Sequence, residues 1–488
     1  MEPLTWTGSL SALNLFFTLA ICIFALMVVV QIVVSLLVTD EPVRVQSDGT
    51  ASSSAGISGL VGTGVKFSFM LVIGIVLIYL IAGILMGTNA GIFGGMARQL
   101  LPVWIAMVLI YAVSIKFKRK LGLYGKLFDS TVGMIGFGIV LFWVLAGIMG
   151  GVFDMLVTHD SFSQTSGMKN KLPGTPLRGA TDGDYQWFLL GGDNLARDVF
   201  SRLFKGAWIV VLIAPMATLF AFMVGITLGL PAGYYGGRLD TILSFLANLI
   251  LAFPVILLFY LLVTPEIVAT GIPNYMAAVL FVFPLIFITI LLNSRYYTQP
   301  HIRTPLLIVV LGVFGWAYLS LISNDGAIIA TSTYRIPGMP PFLDGISMPP
   351  TILVVFVSVV FVNSPTVFRI VRGLALDIKT RDYVAAAQTR GEGPWYIMLW
   401  EILPNARGPL IVDFCLRIGY TTILLGTLGF FGLGLESESP DWGTTINSGR
   451  RLLALYPHVA IAPALSLLTL VLGLNLLADG LREESLRD

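Results

Sequence analysis

The chain has 488 residues, of which 56% are hydrophobic and 11% are charged, and its formal net charge at pH 7 is +2. Soluble domains carry about 25% charged residues, so this composition excludes a water-soluble globule and indicates an integral membrane protein. The near-neutral charge gives nucleic-acid binding no electrostatic support. Two cysteines in apolar runs and three scattered histidines predict neither a disulfide framework nor a metal site.

Eleven apolar runs are predicted to cross a membrane, because a bilayer core is spanned by about 20 helical residues. The first run has no Lys or Arg before it and is too long for a cleaved signal peptide. The third run is short and is bounded by Arg98. The predicted spans are 13–38, 67–86, 101–115, 132–157, 209–231, 242–263, 276–292, 306–321, 351–367, 410–433 and 459–477.

Basic residues set the predicted orientation. The densest short basic cluster, five Lys and Arg residues within 116–126, lies between the third and fourth spans, and the positive-inside rule places it in the cytoplasm. The polar stretch 158–207 then falls outside, although it also carries Lys and Arg, because long loops follow the charge rule poorly. Counting spans gives an amino terminus outside and a carboxyl terminus in the cytoplasm.

The sixth span contains Pro254, which removes a helical hydrogen bond and is expected to bend the helix. A bent helix that lines a gate and a helix kinked only for packing are both consistent with this position. We therefore carry Pro254 as a candidate residue of the translocation path or gate.

The tenth span carries Asp413 and Arg417, whose spacing of four places them on one helix face where they can pair. Charged residues at membrane depth usually face a bundle interior or a cavity, which makes both residues candidates for the translocation path. The alternative is snorkelling to the interface, because both lie near the predicted cytoplasmic end of the span.

A polar island at 382–409 separates the ninth and tenth spans. Its sequence predicts an alanine-rich helix over 383–389, a break at Gly391 and Gly393, and a second short helix that ends at Pro404. A loop between two spans rarely needs that much order, which suggests a docking surface for another protein. An interfacial amphipathic helix without a partner is the alternative.

This island resembles the cytoplasmic coupling loop, the "EAA" loop, of permease subunits of bacterial ABC importers. Ala386-Ala387, Gly391 and Leu403-Pro404 keep the family pattern, whereas Ala385 stands for the family's glutamate and Glu401 for its isoleucine. The resemblance implies an ATPase-coupling role for the residues Asp382, Tyr383, Ala385, Ala386, Ala387, Gly391, Leu403 and Pro404.

Further motifs resemble the C-type permease of dipeptide and oligopeptide importers. The segment 190–203 keeps the family's Asp, Arg-Asp and Ser-Arg positions and departs from it at Gly192 and Ala196. Other matches follow in the expected order, at 232–240, 251–254, 368–373, 432–443 and 475–482.

The resemblance places four motif residues on the receptor side. For the segment 190–203, the alternative is an interfacial helix terminus capped by Asp193 or Asn194. Trp442 lies where an amphipathic ring would anchor at the membrane interface. The predicted receptor-side residues are Asp193, Arg197, Asp198 and Trp442.

Two parts of the chain have no counterpart in the family pattern. One is the amino-terminal region, and the other is a pair of runs at 276–292 and 306–321 that we predict to form an inserted helical hairpin. We divide the chain into accessory amino-terminal transmembrane helices at 1–128 and a permease transmembrane domain at 129–488. Within the permease domain we expect an extracytoplasmic segment at 158–207, the hairpin and an outer loop at 276–349, and the coupling loop at 377–409.

The resemblance implies an all-α polytopic membrane protein with the type I ABC-importer transmembrane fold and about 11 transmembrane helices. It implies a permease subunit in the bacterial inner membrane that forms half of a translocation path for peptides or similar small solutes. The expected partners are a second permease subunit, two cytoplasmic ATPase subunits and an extracytoplasmic solute-binding protein.

We expect that the chain itself is not an enzyme. Its sequence has no glycine-rich nucleotide loop, so we expect it to bind no cofactor, and ATP and Mg to bind the separate ATPase subunits. The alternative is a stand-alone secondary carrier or a membrane-embedded enzyme. A carrier should show ionisable residues near mid-span and repeated halves, and the sequence offers only Asp413 and Arg417 and no obvious repeat.

Overall fold

A computed structural model describes residues 2–37, 57–177, 179–180, 185–323, 349–433 and 438–485. Ten described helices are long and apolar enough to cross a membrane, and a bent pair of helices gives an eleventh candidate. These candidates correspond one to one with the eleven predicted spans. The prediction of an all-α polytopic protein with about 11 transmembrane helices is therefore confirmed.

The described helices up to the polar stretch are α1 Leu13–Leu37, α2 Ile57–Met86, α3 Gly91–Gln99, α4 Leu101–Phe117, α5 Gly122–Lys126 and α6 Thr131–Gly151. A short antiparallel ribbon, β1 Thr175–Pro176 and β2 Trp187–Phe188, lies within that stretch. The helices that follow are α7 Val199–Tyr235, α8 Gly237–Leu251, α9 Val255–Val263, α10 Pro265–Ala269, α11 Ile272–Leu280, α12 Val282–Arg295, α13 Pro300–Ser323 and α14 Pro350–Ile378. The remaining helices are α15 Asp382–Thr389, α16 Pro394–Tyr396, α17 Leu403–Asn405, α18 Arg407–Phe431, α19 Trp442–Arg450 and α20 His458–Ser485.

The chain divides into two compact units. The first comprises Met1–Trp104 and Gln164–Phe200, and the second comprises Ile105–Ser163 and Ser201–Asp488. This division by compactness does not test the division at 128 into accessory and permease parts, which stays a prediction.

In the first unit, α1 and α2 pack side by side, with the rings of Phe24 and Phe69 5.5 Å apart. Backbone hydrogen bonds tie the amino-terminal residues to the rest of this unit. The Leu4 amide donates to the Gly174 carbonyl over 2.9 Å, and the Ile92 amide donates to the Thr5 carbonyl over 3.0 Å. The residues before α1 are thereby ordered by the polar stretch and by the start of α3.

In the second unit, α14 is the central helix, with most of its length buried among α7, α9, α11 and α18. Glycines allow α7 to approach it closely. A Cβ built at Gly225, Gly229 or Gly233 would lie 2.5–2.9 Å from atoms of α14. A repeat of small residues every four positions is how membrane helices bring their backbones together.

The bend at Pro254 is confirmed. α8 and α9 meet at 81° across a short break, and Pro254 is the extended residue that precedes α9, with ψ 123°. The missing amide of Pro254 and the clash of its ring with the preceding turn account for the break.

Helix α7 is longer than the predicted span 209–231. It begins at Val199, so the end of the polar stretch 158–207 is helical, and it continues through Pro231 to Tyr235. Gly236 and Gly237, with φ of 66° and 62°, end the helix in a conformation that favours glycine. The family-like segment 232–240 is therefore helical except for a turn at these two residues.

The inserted hairpin is confirmed as two adjacent helical arms. α11 and α12 form one arm, α13 forms the other, and the connection between the arms is 296–299. α12 packs against α13, and α11 packs against α14. The loop predicted after the hairpin, at 323–349, lies outside the described residues except at its two ends.

Candidate functional site

The segment between α14 and α18 contains the two short helical stretches that the sequence predicts. α15 ends at Thr389, and Gly391 turns the chain with φ of 78°. The second stretch begins at Pro394 and includes a wide π turn at Ile397–Ile402. It continues to Asn405 instead of ending at Pro404, because the π turn precedes the proline and the proline occupies the first turn of α17.

Helix α15 has a buried edge and an exposed face. Val384 and Ala387, three positions apart, are fully buried against Ile397, Met398 and Ile402 of the second stretch. The other residues of α15, namely Asp382, Tyr383, Ala385, Ala386, Gln388 and Thr389, are exposed. The predicted coupling residues therefore divide by role, since Ala387 packs inside while the others on this helix face outward.

The position of the family's glutamate is on the exposed face. The Ala385 amide donates to the Arg381 carbonyl over 3.3 Å, and its carbonyl accepts from the Thr389 hydroxyl over 2.9 Å. Its substitution leaves a surface site without a charge and disturbs no buried ion pair.

The other departure from the family pattern has a structural explanation. Glu401, in place of the family's isoleucine, accepts from Arg390 over 2.9 Å. Arg390 follows the end of α15 and Glu401 lies in the π turn, so this ion pair joins the two stretches. The pair is partly exposed, and such pairs contribute at most about 1 kcal/mol.

Polar contacts also hold the segment to the last turn of α7. Gln388 Nε2 donates to the Tyr234 hydroxyl over 3.2 Å, and Lys379 Nζ donates to the Gly233 carbonyl over 2.8 Å. Asp240 receives two hydrogen bonds from Arg372 near the end of α14, that from Nη2 over 2.6 Å. Sequence analysis missed this bidentate pair, although both residues lie in segments that match the family.

Burial raises the pKa of the Tyr383 phenol above its usual value, and the carboxylates of Asp377 and Glu401 add to the rise while Arg381 opposes it. The phenol is therefore neutral and able to donate a hydrogen bond at physiological pH. The remaining coupling candidates lie at the edges of the segment, where Gly391 and Pro404 are exposed and Leu403 is half-buried.

The predicted pairing of Asp413 and Arg417 is confirmed. Arg417 Nε donates to Asp413 Oδ2 over 2.6 Å, and Arg417 Nη1 donates to Thr366 of α14 over 2.7 Å. Arg417 is only 9% exposed, because its charge is held between two helices. A role of this pair in the translocation path stays a prediction.

A line of buried polar groups continues from this pair between the same helices. Asn363 Nδ2 donates to the Thr421 hydroxyl over 3.4 Å, and Thr421 lies 3.4 Å from the Thr218 hydroxyl of α7. These contacts join α7, α14 and α18. Sequence analysis missed them, although an asparagine in the middle of an apolar run was a usable signal.

In the first unit, Asp193 and Arg197 form a buried ion pair of 2.7 Å. Asp193 Oδ1 also accepts from the amides of Leu195 and Arg197, over 2.8 and 2.9 Å. The proposed capping of a helix by Asp193 is wrong, because it closes a turn while α7 begins only at Val199. The buried residue that precedes α7 is Asp198, whose Oδ1 accepts from the Phe200 amide over 3.3 Å.

In the second unit, Trp442 is enclosed by protein. Its exposure is 1%, its Nε1 donates to the Leu203 carbonyl over 2.8 Å, and its ring lies 5.0 Å from that of Trp143. The interpretation of Trp442 as an interface anchor is therefore wrong. Arg202, also buried, donates to the Glu438 and Ser439 carbonyls and fixes the chain before α19.

Pro254 lies at the break between α8 and α9 and is exposed. In the sequence it is distant from the Asp413–Arg417 pair.

Among the residues that the structure describes, no group of three or more His, Cys, Asp or Glu side chains could hold a metal ion.

The described chain combines many apolar spans with an ordered segment that presents a short helix, which are the features of a multi-pass membrane protein. Residues 225–483 match the family described as binding-protein-dependent transport system inner membrane component. The chain belongs to this family, and it is a multi-pass inner-membrane permease subunit of an ABC importer. This finding favours the importer over the stand-alone carrier or enzyme.

Three curated relatives illustrate the similarity. The glutathione transport system permease protein GsiD of Pectobacterium atrosepticum is 29% identical over 294 residues, which are 60% of this chain and 70% of the relative. The dipeptide transport system permease protein DppC of Alkalihalophilus pseudofirmus is 24% identical over 360 residues, covering 74% and 87%. DppC of Haemophilus influenzae is 27% identical over 296 residues, covering 61% and 72%.

Proposed function

We propose that this permease subunit forms half of a translocation path for peptides or similar small solutes, and that a cytoplasmic ATPase drives it through residues 382–409. The main support for this proposal is the packing of α15. Val384 and Ala387 fix the helix along one edge, and Tyr383, Ala385 and Ala386 face outward. The names of the relatives, which are dipeptide and glutathione permeases, support the solute class.

The packing around α15 suits the transmission of force. Val384 and Ala387 share one apolar cluster with Val371 and Ala375 of α14 and with Leu410 of α18. Protein interiors are close-packed and transmit strain, so a push on α15 reaches both spans. Closure of the ATPase pair on ATP would then rock these spans between inward-open and outward-open states.

The complete importer in this proposal contains a second permease subunit, two ATPase subunits and an extracytoplasmic solute-binding protein. ATP and Mg bind to the ATPase subunits, and this chain performs no catalysis. The amino terminus lies outside and the carboxyl terminus in the cytoplasm, as the basic residues of 116–126 indicate. The Pro254 bend and the Asp413–Arg417 pair act within the moving spans.

The first test of this proposal is co-purification of the tagged chain in mild detergent. We expect a second permease and ATPase subunits to accompany it. Deletion of 386–391 should abolish ATP-driven uptake and leave membrane insertion intact. Unchanged uptake in that deletion would contradict the coupling role.

A single substitution gives a sharper version of this test. Ala386→Trp places a bulky ring on the exposed face of α15 and should block ATPase co-purification. The matched control is Ala454→Trp, at another exposed alanine in a connection that the predicted topology places on the opposite side of the membrane. Equal recovery of the ATPase with the two variants would contradict the assignment of the exposed face of α15 as the ATPase-binding surface.

A further inference from the structure

The inserted hairpin is in contact with the segment that we assign to ATPase coupling. Trp400, in the π turn, donates from Nε1 to the Ser294 hydroxyl over 3.0 Å. The guanidinium carbon of Arg295 lies 4.6 Å from the centroid of the Trp400 ring, within the range of a cation–π interaction. One tryptophan is thus held at its edge and at its face by consecutive residues at the end of α12.

The hairpin residue that accepts from Trp400 is itself fixed. Ser294 is buried, and its hydroxyl donates to the Leu291 carbonyl over 3.0 Å. Phe287, Ile290 and Leu291 of α12, spaced as one helix face, pack against the apolar cluster that encloses Val384 and Ala387. The contact is therefore part of a packed interface between the hairpin and the coupling segment.

Trp400 is followed directly by Glu401, whose carboxylate pairs with Arg390 beyond the end of α15. Two consecutive residues of the π turn therefore hold two different elements, the hairpin on one side and α15 on the other. A π turn is wider than an α turn and is found in short pieces at functional sites. Holding the Trp400 ring fixes the rotation of the second stretch about its axis, and with it the position of Glu401.

We propose that the inserted hairpin is a brace for the coupling segment, and that Ser294, Arg295 and Trp400 are the positioning residues through which it acts. This proposal rests on the proposed function, because it requires the ATPase to bind at α15. The brace keeps the exposed face of α15 in the orientation that the ATPase recognises. A hairpin that the family pattern lacks thereby contributes to the family's coupling step without touching ATP.

The test measures how tightly the ATPase subunit binds the permease pair, using the complex reassembled in lipid nanodiscs. Arg295→Ala should weaken this binding about three- to tenfold, as expected for loss of a partly exposed cation–π contact. Arg295→Lys, which keeps a cation over the ring, should recover most of the affinity. The matched control is Arg303→Ala, because Arg303 stacks 5.8 Å from Tyr297 within the hairpin itself, and its affinity should stay within about twofold of wild type.

A double-mutant cycle separates bracing from a direct contact between Arg295 and the ATPase. If Arg295 acts through Trp400, then Arg295→Ala should cause no further loss in a chain that already carries Trp400→Ala. Trp400→Phe keeps an aromatic ring and loses the N–H, and it serves as a control for a folding defect in Trp400→Ala. Its affinity for the ATPase should lie between those of the wild type and Trp400→Ala.

Two outcomes would overturn the hairpin proposal by itself. In the first outcome, the affinity for the ATPase is the same in Arg295→Ala, Ser294→Ala and the control Arg303→Ala, while Ala386→Trp still blocks binding. In the second outcome, a chain that carries both Arg295→Ala and Trp400→Ala loses affinity by the product of the two single losses, which means that the two residues act independently. If Ala386→Trp binds the ATPase like the wild type, the proposed function itself fails, and that result is distinct from either of these.

Discussion

In α15, the motif residues Tyr383, Ala385 and Ala386 face outward, whereas at the start of α19 the motif residue Trp442 is enclosed by Leu203 and Trp143. Both segments match the same family pattern, and the pattern does not distinguish these environments. Burial does: the first segment presents an exposed surface, and the second holds two parts of its own chain together. A family motif therefore locates a segment, and packing decides whether its residues meet a partner.

Trp442→Ala is expected to have the largest effect on stability of the substitutions that test this contrast between a buried and an exposed motif residue. Truncation removes a large buried ring together with its hydrogen bond to the Leu203 carbonyl, at a cost of about 3–5 kcal/mol in the free energy of unfolding. We expect the variant to lose its monodisperse peak at a clearly lower temperature when heated in detergent. Tyr275→Ala, at an aromatic residue that is 70% exposed, should change stability by about 0.5 kcal/mol or less. A Trp442→Ala chain as stable as wild type would show that the ring does not support this segment.

Neighbouring residues of α15 offer an intermediate test of the same contrast. Val384→Thr buries a hydroxyl among apolar side chains and should destabilise the chain by about 1–3 kcal/mol. Ala385→Ser, one position further on the exposed face, should cost less than about 0.5 kcal/mol. The measurement is the thermal stability of each variant in the same detergent. Equal losses in the two variants would mean that α15 has no buried edge.

The smallest expected effect comes from restoring the family's residue at Glu401. Glu401→Ile removes the pair with Arg390, and because this pair is partly exposed, stability should change by about 1 kcal/mol or less. The wild type should lose its small advantage over the variant in high salt, since exposed charges are screened. Thermal stability at low and high salt checks this, with Glu401→Gln as the control of similar size. A loss of several kcal/mol that salt does not change would contradict the assignment of an exposed pair.

Local patterns in the sequence predicted much of this architecture. The eleven spans follow from run length, the bend follows from Pro254, and the pairing of Asp413 with Arg417 follows from helix spacing. The short helix at 382–389 follows from its alanine content and the glycine break.

The contacts that join distant parts of the chain were beyond sequence reasoning. Arg372 and Asp240 are 132 positions apart, and Trp400 and Ser294 are 106 apart. No periodicity encodes such pairs, because they arise only when helices are packed. The same limit explains the error at Trp442, where the sequence shows an amphipathic ring but not the carbonyl and the second tryptophan that enclose it.

The close approach of α7 to α14 has a mechanical consequence. Helices that meet through long side chains can slide, because rotamer changes absorb a shift of one turn against the next. Gly225, Gly229 and Gly233 contribute no side chain to this contact, so any sliding would press the α7 backbone onto side-chain and backbone atoms of α14. We therefore expect the two helices to move together as one rigid unit when a force is applied at their ends.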